Sequence, residues 1–295
     1  MKRKVDGVLL LDKPVGLTSN AALQKAKRLY RAEKAGHTGT LDPFATGLLP
    51  LCLGEATKFS QFLLDADKTY RAELRLGVRT SSGDLDGEVI AEHTVDLVEA
   101  QLRRALERFL GEIDQVPPMH SALKHQGRPL YEYARQGIEI ERKARRVVVH
   151  SLELEAFSGD ACTLRVHCGK GFYVRALADD LGELLGCGAH LSGLRRLAVG
   201  GFTVAEAVTL AQLEAMTEAD RDARLAPPDA LIAGLTEMNL DAEAAWQIGH
   251  GQAVWLARLR VGEIHRIYGP EHRFLGVAEV DQDGKLAPKR LVAHP

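Results

Sequence analysis

Gly36-His37-Thr38-Gly39-Thr40-Leu41-Asp42-Pro43-Phe44-Ala45-Thr46-Gly47-Leu48-Leu49-Pro50 packs glycines, hydroxyls, one histidine and one aspartate ahead of an apolar run. An Asp-Pro step alone is ordinary turn chemistry. The whole string is more than a turn. It is a loop rich in turn formers from Gly36 to Gly47 that carries a single carboxylate, Asp42.

Upstream, Gly7 to Leu11 reads as a buried strand stopped by Asp12-Lys13-Pro14, and Thr18-Ser19-Asn20 offers a cap for a basic helix running to about Glu33. Downstream, Tyr70, Ala72, Leu74 and Leu76 alternate with Arg71, Glu73 and Arg75, the period of a half-buried strand with Tyr70 on the apolar side. Asp96 and Glu99 suggest a capping box for a helix with Leu102, Ala105, Leu106, Phe109 and Leu110 on one face, closed by Gly111. From Val116 to Arg146 the pattern fits neither a long helix nor a strand, so this segment is expected to leave the core. Val147 to Phe157 and Cys162 to Cys168 alternate as strands, and a helix carrying Val174, Leu177, Leu181 and Leu184 follows, closed by Gly186. After Pro227-Pro228, short apolar runs and an Asp283-Gly284 turn point to a small β-rich appendage.

Composition excludes several classes. At 45% hydrophobic and 26% charged, the chain matches a soluble globular protein, and no stretch approaches the ~20 apolar residues of a membrane span. The apolar run Val8 to Leu11 is too short for a signal-peptide core, so a cytoplasmic protein without membrane contact is expected. The four cysteines form no CxxC pair and read as reduced, buried thiols; no metal is expected. A net charge of -2 does not advertise a nucleic-acid partner, but the distribution does. Residues 1 to 34 carry nine Lys/Arg against three Asp/Glu, residues 124 to 146 seven against three, and residues 201 to 245 two against nine. Such segregation permits a basic face that collects phosphates.

There is no Walker-A element, and Gly169-Lys170-Gly171 lacks the third glycine of a dinucleotide fingerprint. Asp84-Leu85-Asp86-Gly87 resembles part of a calcium loop, but its glycine falls too early and Val95 stands where the bidentate Glu belongs, so it reads as a turn.

The Gly36 to Pro50 string closely resembles the nucleophile motif GHTGxLDPxATGxLP of the TruB family of pseudouridine synthases. Asp12 to Ser19 looks like the family's DKPxGxTS element, Leu53 to Lys58 continues the nucleophile motif, and Asp67-Lys68-Thr69-Tyr70 carries the family's tyrosine. Val116 to Lys124 with Gly127 to Tyr131 resembles the RNA-gripping insertion, and Gly171 to Asp180 with His190 to Arg196 resembles the last catalytic motif. The similarity runs in order over roughly residues 5 to 200.

The resemblance implies an α+β fold: a mixed, largely antiparallel sheet flanked by helices, with a thumb over the cleft from about 116 to 146. It implies a catalytic domain over 1–235 and a PUA-like RNA-binding β domain over 236–295. The implied activity is isomerisation of uridine 55 in the T-arm loop of tRNA, with the base flipped out and no cofactor, by a monomer needing no obligatory protein partner. Asp42 would be the nucleophile, kept ionised by Arg175. Tyr70 would stack on uracil and accept or relay the C5 proton. Tyr173 would support the ion pair, Leu194 would wall the base, His37 would contact the RNA loop, and Lys13 is expected at the substrate. Attack at C6, attack at C1′ and abstraction of a ribose proton all require the same carboxylate and remain open here. Two other readings also remain: a non-catalytic RNA-binding or tRNA-folding protein, and a synthase directed to another RNA.

Overall fold

The computed structural model describes residues 2–293, so Met1, His294 and Pro295, at the ends of the two expected domains, lie outside the described residues. A central mixed sheet organises the larger part. Its principal strands are β1 (Gly7–Lys13), β2 (Thr46–Leu53), β3 (Lys68–Leu76), β4 (Gly111–Gln115), β5 (Arg145–Phe157), β6 (Ala161–Cys168), β7 (Ala189–Val199) and β8 (Val208–Thr209). They lie in the order β8-β1-β2-β7-β3-β6-β5-β4. Pairing is antiparallel except between β1 and β8 and between β2 and β7. This is the α+β architecture expected.

Strand β1 is buried on both faces because its side chains feed two different cores. Leu9 and Leu11 pack beneath helix α1 (Ser19–Leu29), while Val8 and Leu10 meet Phe59, Leu63 and Leu231 on the other side. Strand β3 shows the anticipated alternation: Ala72, Leu74 and Leu76 are buried and Arg71, Glu73 and Arg75 are exposed. Beneath it sit α2 (Glu99–Leu106) and α3 (Val174–Leu185). Gly186 adopts φ +76° and closes α3 as expected, although Leu184 lies 42% exposed rather than in the core.

Three boundaries differ from the sequence expectation. Thr18 does cap α1 through its hydroxyl on the Ala21 N–H, but the helix stops at Leu29, because Arg31 turns left-handed at φ +51°. Helix α2 begins one residue after Val98, whose N–H is met by the Gln101 side chain at 2.9 Å, so Asp96 and Glu99 form no capping box. That helix ends at Leu106 and tightens into a 3₁₀ turn over Glu107–Phe109; Leu110 is 45% exposed, and Gly111 opens β4 instead of capping α2.

The excursion between β4 and β5 contains a two-stranded pair, Lys124–His125 with Arg128–Pro129, and one short helix, Leu130–Ala134. Residues 236–291 form a second sheet of β9 (Thr236–Asn239), β10 (Ile264–Gly269), β11 (Arg273–Val280) and β12 (Leu286–Leu291). Helix α4 (Ala242–Gly249) covers one face, and Ile264, Phe274 and Val277 pack the sheet against the central domain. Among the described residues no helix is long and apolar enough to cross a membrane.

Candidate active site

The Gly36–Gly47 loop is pinned on both sides of Asp42. Ser19, buried at the start of α1, accepts from the Leu41 N–H at 2.8 Å and donates to the Leu41 carbonyl at 3.0 Å. The Pro43 carbonyl accepts from the Gly16 N–H at 2.8 Å and from Lys13 Nζ at 3.3 Å. Lys13 also donates to the Pro14 and Leu17 carbonyls at 2.9 and 2.7 Å. The Lys13 side chain, expected at the substrate, is fully buried in this carbonyl cage. Burial lowers its pKa to about 8, with Asp42 opposing the shift. The Asp12 to Ser19 element is thus a clamp on the aspartate loop.

Helix α3 brings the counter-charge. Arg175, in its first turn, places Nε 3.1 Å from Asp42 Oδ2 and Nη2 3.4 Å from Oδ1. Nη2 also donates to the His120 carbonyl at 2.7 Å, and Nη1 lies 3.4 Å from Asp84 Oδ2. Every nitrogen of this nearly buried guanidinium is engaged. Burial raises the Asp42 pKa above its ordinary value; Arg175 opposes that rise, and Asp84 and Asp86 add to it. The side-on guanidinium is therefore the main defence of the negative charge.

Asp42 and Arg175 stand in a cleft of about 310 Å³, with Tyr70, Tyr173, Leu194 and Arg196 also on its walls. That volume falls within the range of small-ligand sites. Tyr70 and Leu194 come from adjacent strands of the sheet, β3 and β7, while Tyr173 precedes α3. Burial raises the pKa of both tyrosines. The structure therefore gathers Asp42, Tyr70, Arg175, Tyr173 and Leu194 in one place. His37 is not among the residues lining that cleft: it sits in a short strand, Ala35–His37, and burial together with Arg196 lowers its pKa.

Sequence reasoning missed three members. Asp84 looked like a turn residue, and its carbonyl does close a turn with Thr80, yet its carboxylate faces Arg175. Gln115, at the end of β4 and 1% exposed, accepts from the Tyr173 N–H at 3.0 Å and donates to the Tyr173 carbonyl at 3.3 Å, tying the thumb's root to the residue before α3. Arg196 lay inside a quoted motif without a role. No local pattern marks any of the three, because each acts on a residue distant in sequence.

Comparison with known proteins gives a single direction. A model of the TruB family pseudouridylate synthase N-terminal domain matches residues 27–174, a tRNA pseudouridylate synthase B C-terminal domain matches 175–238, and a TruB pseudouridine synthase II C-terminal model matches 236–292. The tRNA pseudouridine synthase B of Aromatoleum aromaticum is 59% identical over 292 residues, covering 99% of this chain and 94% of its own. That of Methylobacillus flagellatus is 52% identical over 292 residues, covering 99% and 97%. Among solved structures, a Cbf5-Nop10-Gar1 complex contains a chain that superposes with a TM-score of 0.72 at 27% identity, covering 98% of this chain and 84% of the other.

Proposed function

The chain belongs to the TruB family of pseudouridylate synthases, and we propose that it converts the uridine at position 55 in the T-arm loop of tRNA to pseudouridine. The reaction breaks the bond from ribose C1′ to uracil N1 and forms one from C1′ to C5, so substrate and product have the same atoms. The observation that carries this reading is the Asp42–Arg175 pair inside a cleft of pyrimidine scale.

A stacked uracil must be extruded before Asp42 can reach it, at a cost of a few kcal/mol, roughly. Binding of the RNA arm has to supply that energy, and the cationic thumb supports such a role. Once the base is seated, Leu194 walls one side and the Tyr70 ring offers a stacking face. The Asp42 carboxylate is the nucleophile or base that opens the glycosidic bond, and Tyr173 supports the pair from the helix terminus. The β domain over 236–295 is read as a PUA-like module that contacts RNA, and the protein as a cytoplasmic monomer without an obligatory protein partner.

The test is Asp42→Asn, which removes charge and little else. Tritium release from C5-labelled tRNA should disappear while tRNA affinity stays within about threefold, since the amide is nearly isosteric. Turnover of a T-arm hairpin by that variant would reject the assignment. Mapping of pseudouridine on total RNA from cells lacking the protein should show loss at position 55, and loss only at other sites would reject the target.

A further inference from the structure

Arg196 is 1% exposed, lines the cleft, and forms no ion pair with any carboxylate among the described residues. Its Nε donates to the Leu48 carbonyl at 2.7 Å and its Nη2 to the Gly39 carbonyl at 3.2 Å. Those bonds aim the guanidinium but do not neutralise it. Desolvating a cation without a counter-ion is costly, and a neutral side chain would fill the space at a lower cost. Something in the working cycle has to use the charge.

The strand register shows what. Arg196 on β7 stands directly opposite Tyr70 on β3, so the two side chains share one face of adjacent strands. Both side chains line the same cleft, where the positive charge of Arg196 favours ionisation of the Tyr70 hydroxyl. Burial and the Asp42 carboxylate both disfavour loss of its proton. Arg196 is the group that favours it.

We infer that Arg196 is a positioning and charge-stabilising residue for a Tyr70 phenolate formed during isomerisation. This rests on the proposed function. The conversion requires one proton added at uracil N1 and one removed from C5. Tyr70 can serve both needs: its phenol proton passes to the detached ring, and the resulting phenolate then takes the proton from C5 as the C5–H electron pair restores the C5–C6 double bond. Tyr70 ends as it began, and no outside acid or base is consumed. Between the two transfers the negative charge lies on the phenolate oxygen, against a fixed guanidinium that needs no reorganisation.

A double-mutant cycle tests this, read as kcat for pseudouridine formation on unmodified tRNA. Arg196→Lys in the otherwise native chain should lower kcat on the order of 100-fold with KM for tRNA nearly unchanged, whereas in a Tyr70→Phe background it should lower kcat less than about threefold. Equal losses in both backgrounds would make Arg196 a structural residue and overturn the inference. Should Arg196→Lys fold poorly, replacing Tyr70 with 3-fluorotyrosine gives a second reading. The more acidic phenol should restore at least about tenfold of the activity lost in the soluble Arg196→Lys fraction, because its phenolate depends less on the guanidinium. No restoration would also overturn it. Failure of the native chain to convert tRNA would instead sink the proposed function.

Discussion

Arg175 Nη1 lies 3.4 Å from the buried carboxylate of Asp84, so the guanidinium that meets Asp42 is shared between two anions. Asp84 is itself fixed by the Ser82 hydroxyl and by the Asp86 N–H at 3.0 Å. It anchors the far edge of the guanidinium and leaves Nε and Nη2 turned toward Asp42.

Asp84→Asn should lower kcat by on the order of 10- to 100-fold while changing tRNA affinity little, because the buried carboxylate acts by positioning Arg175. The pH profile has a defined sign. Asp84 raises the Asp42 pKa, so its removal should move the acidic limb of kcat/KM to lower pH. Rate profiles over the acidic and neutral range check this; an acidic limb displaced upward would contradict it.

Gln115→Ala should uncouple the thumb's root from Tyr173 and orphan a backbone N–H and a carbonyl. A loss of about 1–3 kcal/mol in stability is expected from the unsatisfied groups. In single-turnover experiments at saturating enzyme, the chemical step should slow by about tenfold, since Arg175 lies in the first turn of the helix that the released residue precedes. Chemical denaturation and quenched-flow kinetics give the two numbers independently.

Asp180, half-buried on α3, has its pKa raised to about 6 by burial, with Asp179 and Glu183 adding to the effect. A carboxyl raised above its unfolded value binds its proton more tightly in the folded chain, so folded stability falls as pH rises from the ordinary carboxylate range through about 6. Asp180→Asn should therefore raise the melting temperature at pH 7.5 by on the order of 2 °C after allowance for solvent screening, and lose that advantage near pH 4. Calorimetry at the two pH values decides it.

Gly47 holds φ +100°, and a Cβ there would sit 2.3 Å from the Arg196 carbonyl oxygen. Strand β2 approaches β7 this closely because Arg196 and Gly47 are register partners. Gly47→Ala should cost at least about 3 kcal/mol, combining backbone strain with a steric clash. Guanidinium unfolding midpoints report the loss.

Much of the candidate site was legible because each member lies in a compact motif. The string around Asp42, the tyrosine ending Asp67 to Tyr70 and the arginine after Gly171 could all be read without knowing what they touch. Strand alternation around Leu74 was equally readable, since a two-residue period survives any tertiary context. What stayed hidden depends on long-range geometry. Asp84 reads locally as a turn because it is one, and only folding reveals its carboxylate beside Arg175. The carbonyl cage around Lys13 was equally hidden, since backbone acceptors carry no side-chain signature. Helix α1 ended early because Arg31 adopts a left-handed turn, which no glycine or asparagine announces at that position.

Gln115 and Arg145 face one another across β4 and β5, so the chain leaves the sheet for the thumb and returns to it at neighbouring positions. The excursion is therefore hung on a closed doorway, while its His120 carbonyl reaches back to Arg175. A differently shaped loop could be grafted between those two residues without altering the register of the strands that carry Tyr70 and Arg196. A graft that keeps a carbonyl where that of His120 stands would leave the Asp42–Arg175 pair held as it is.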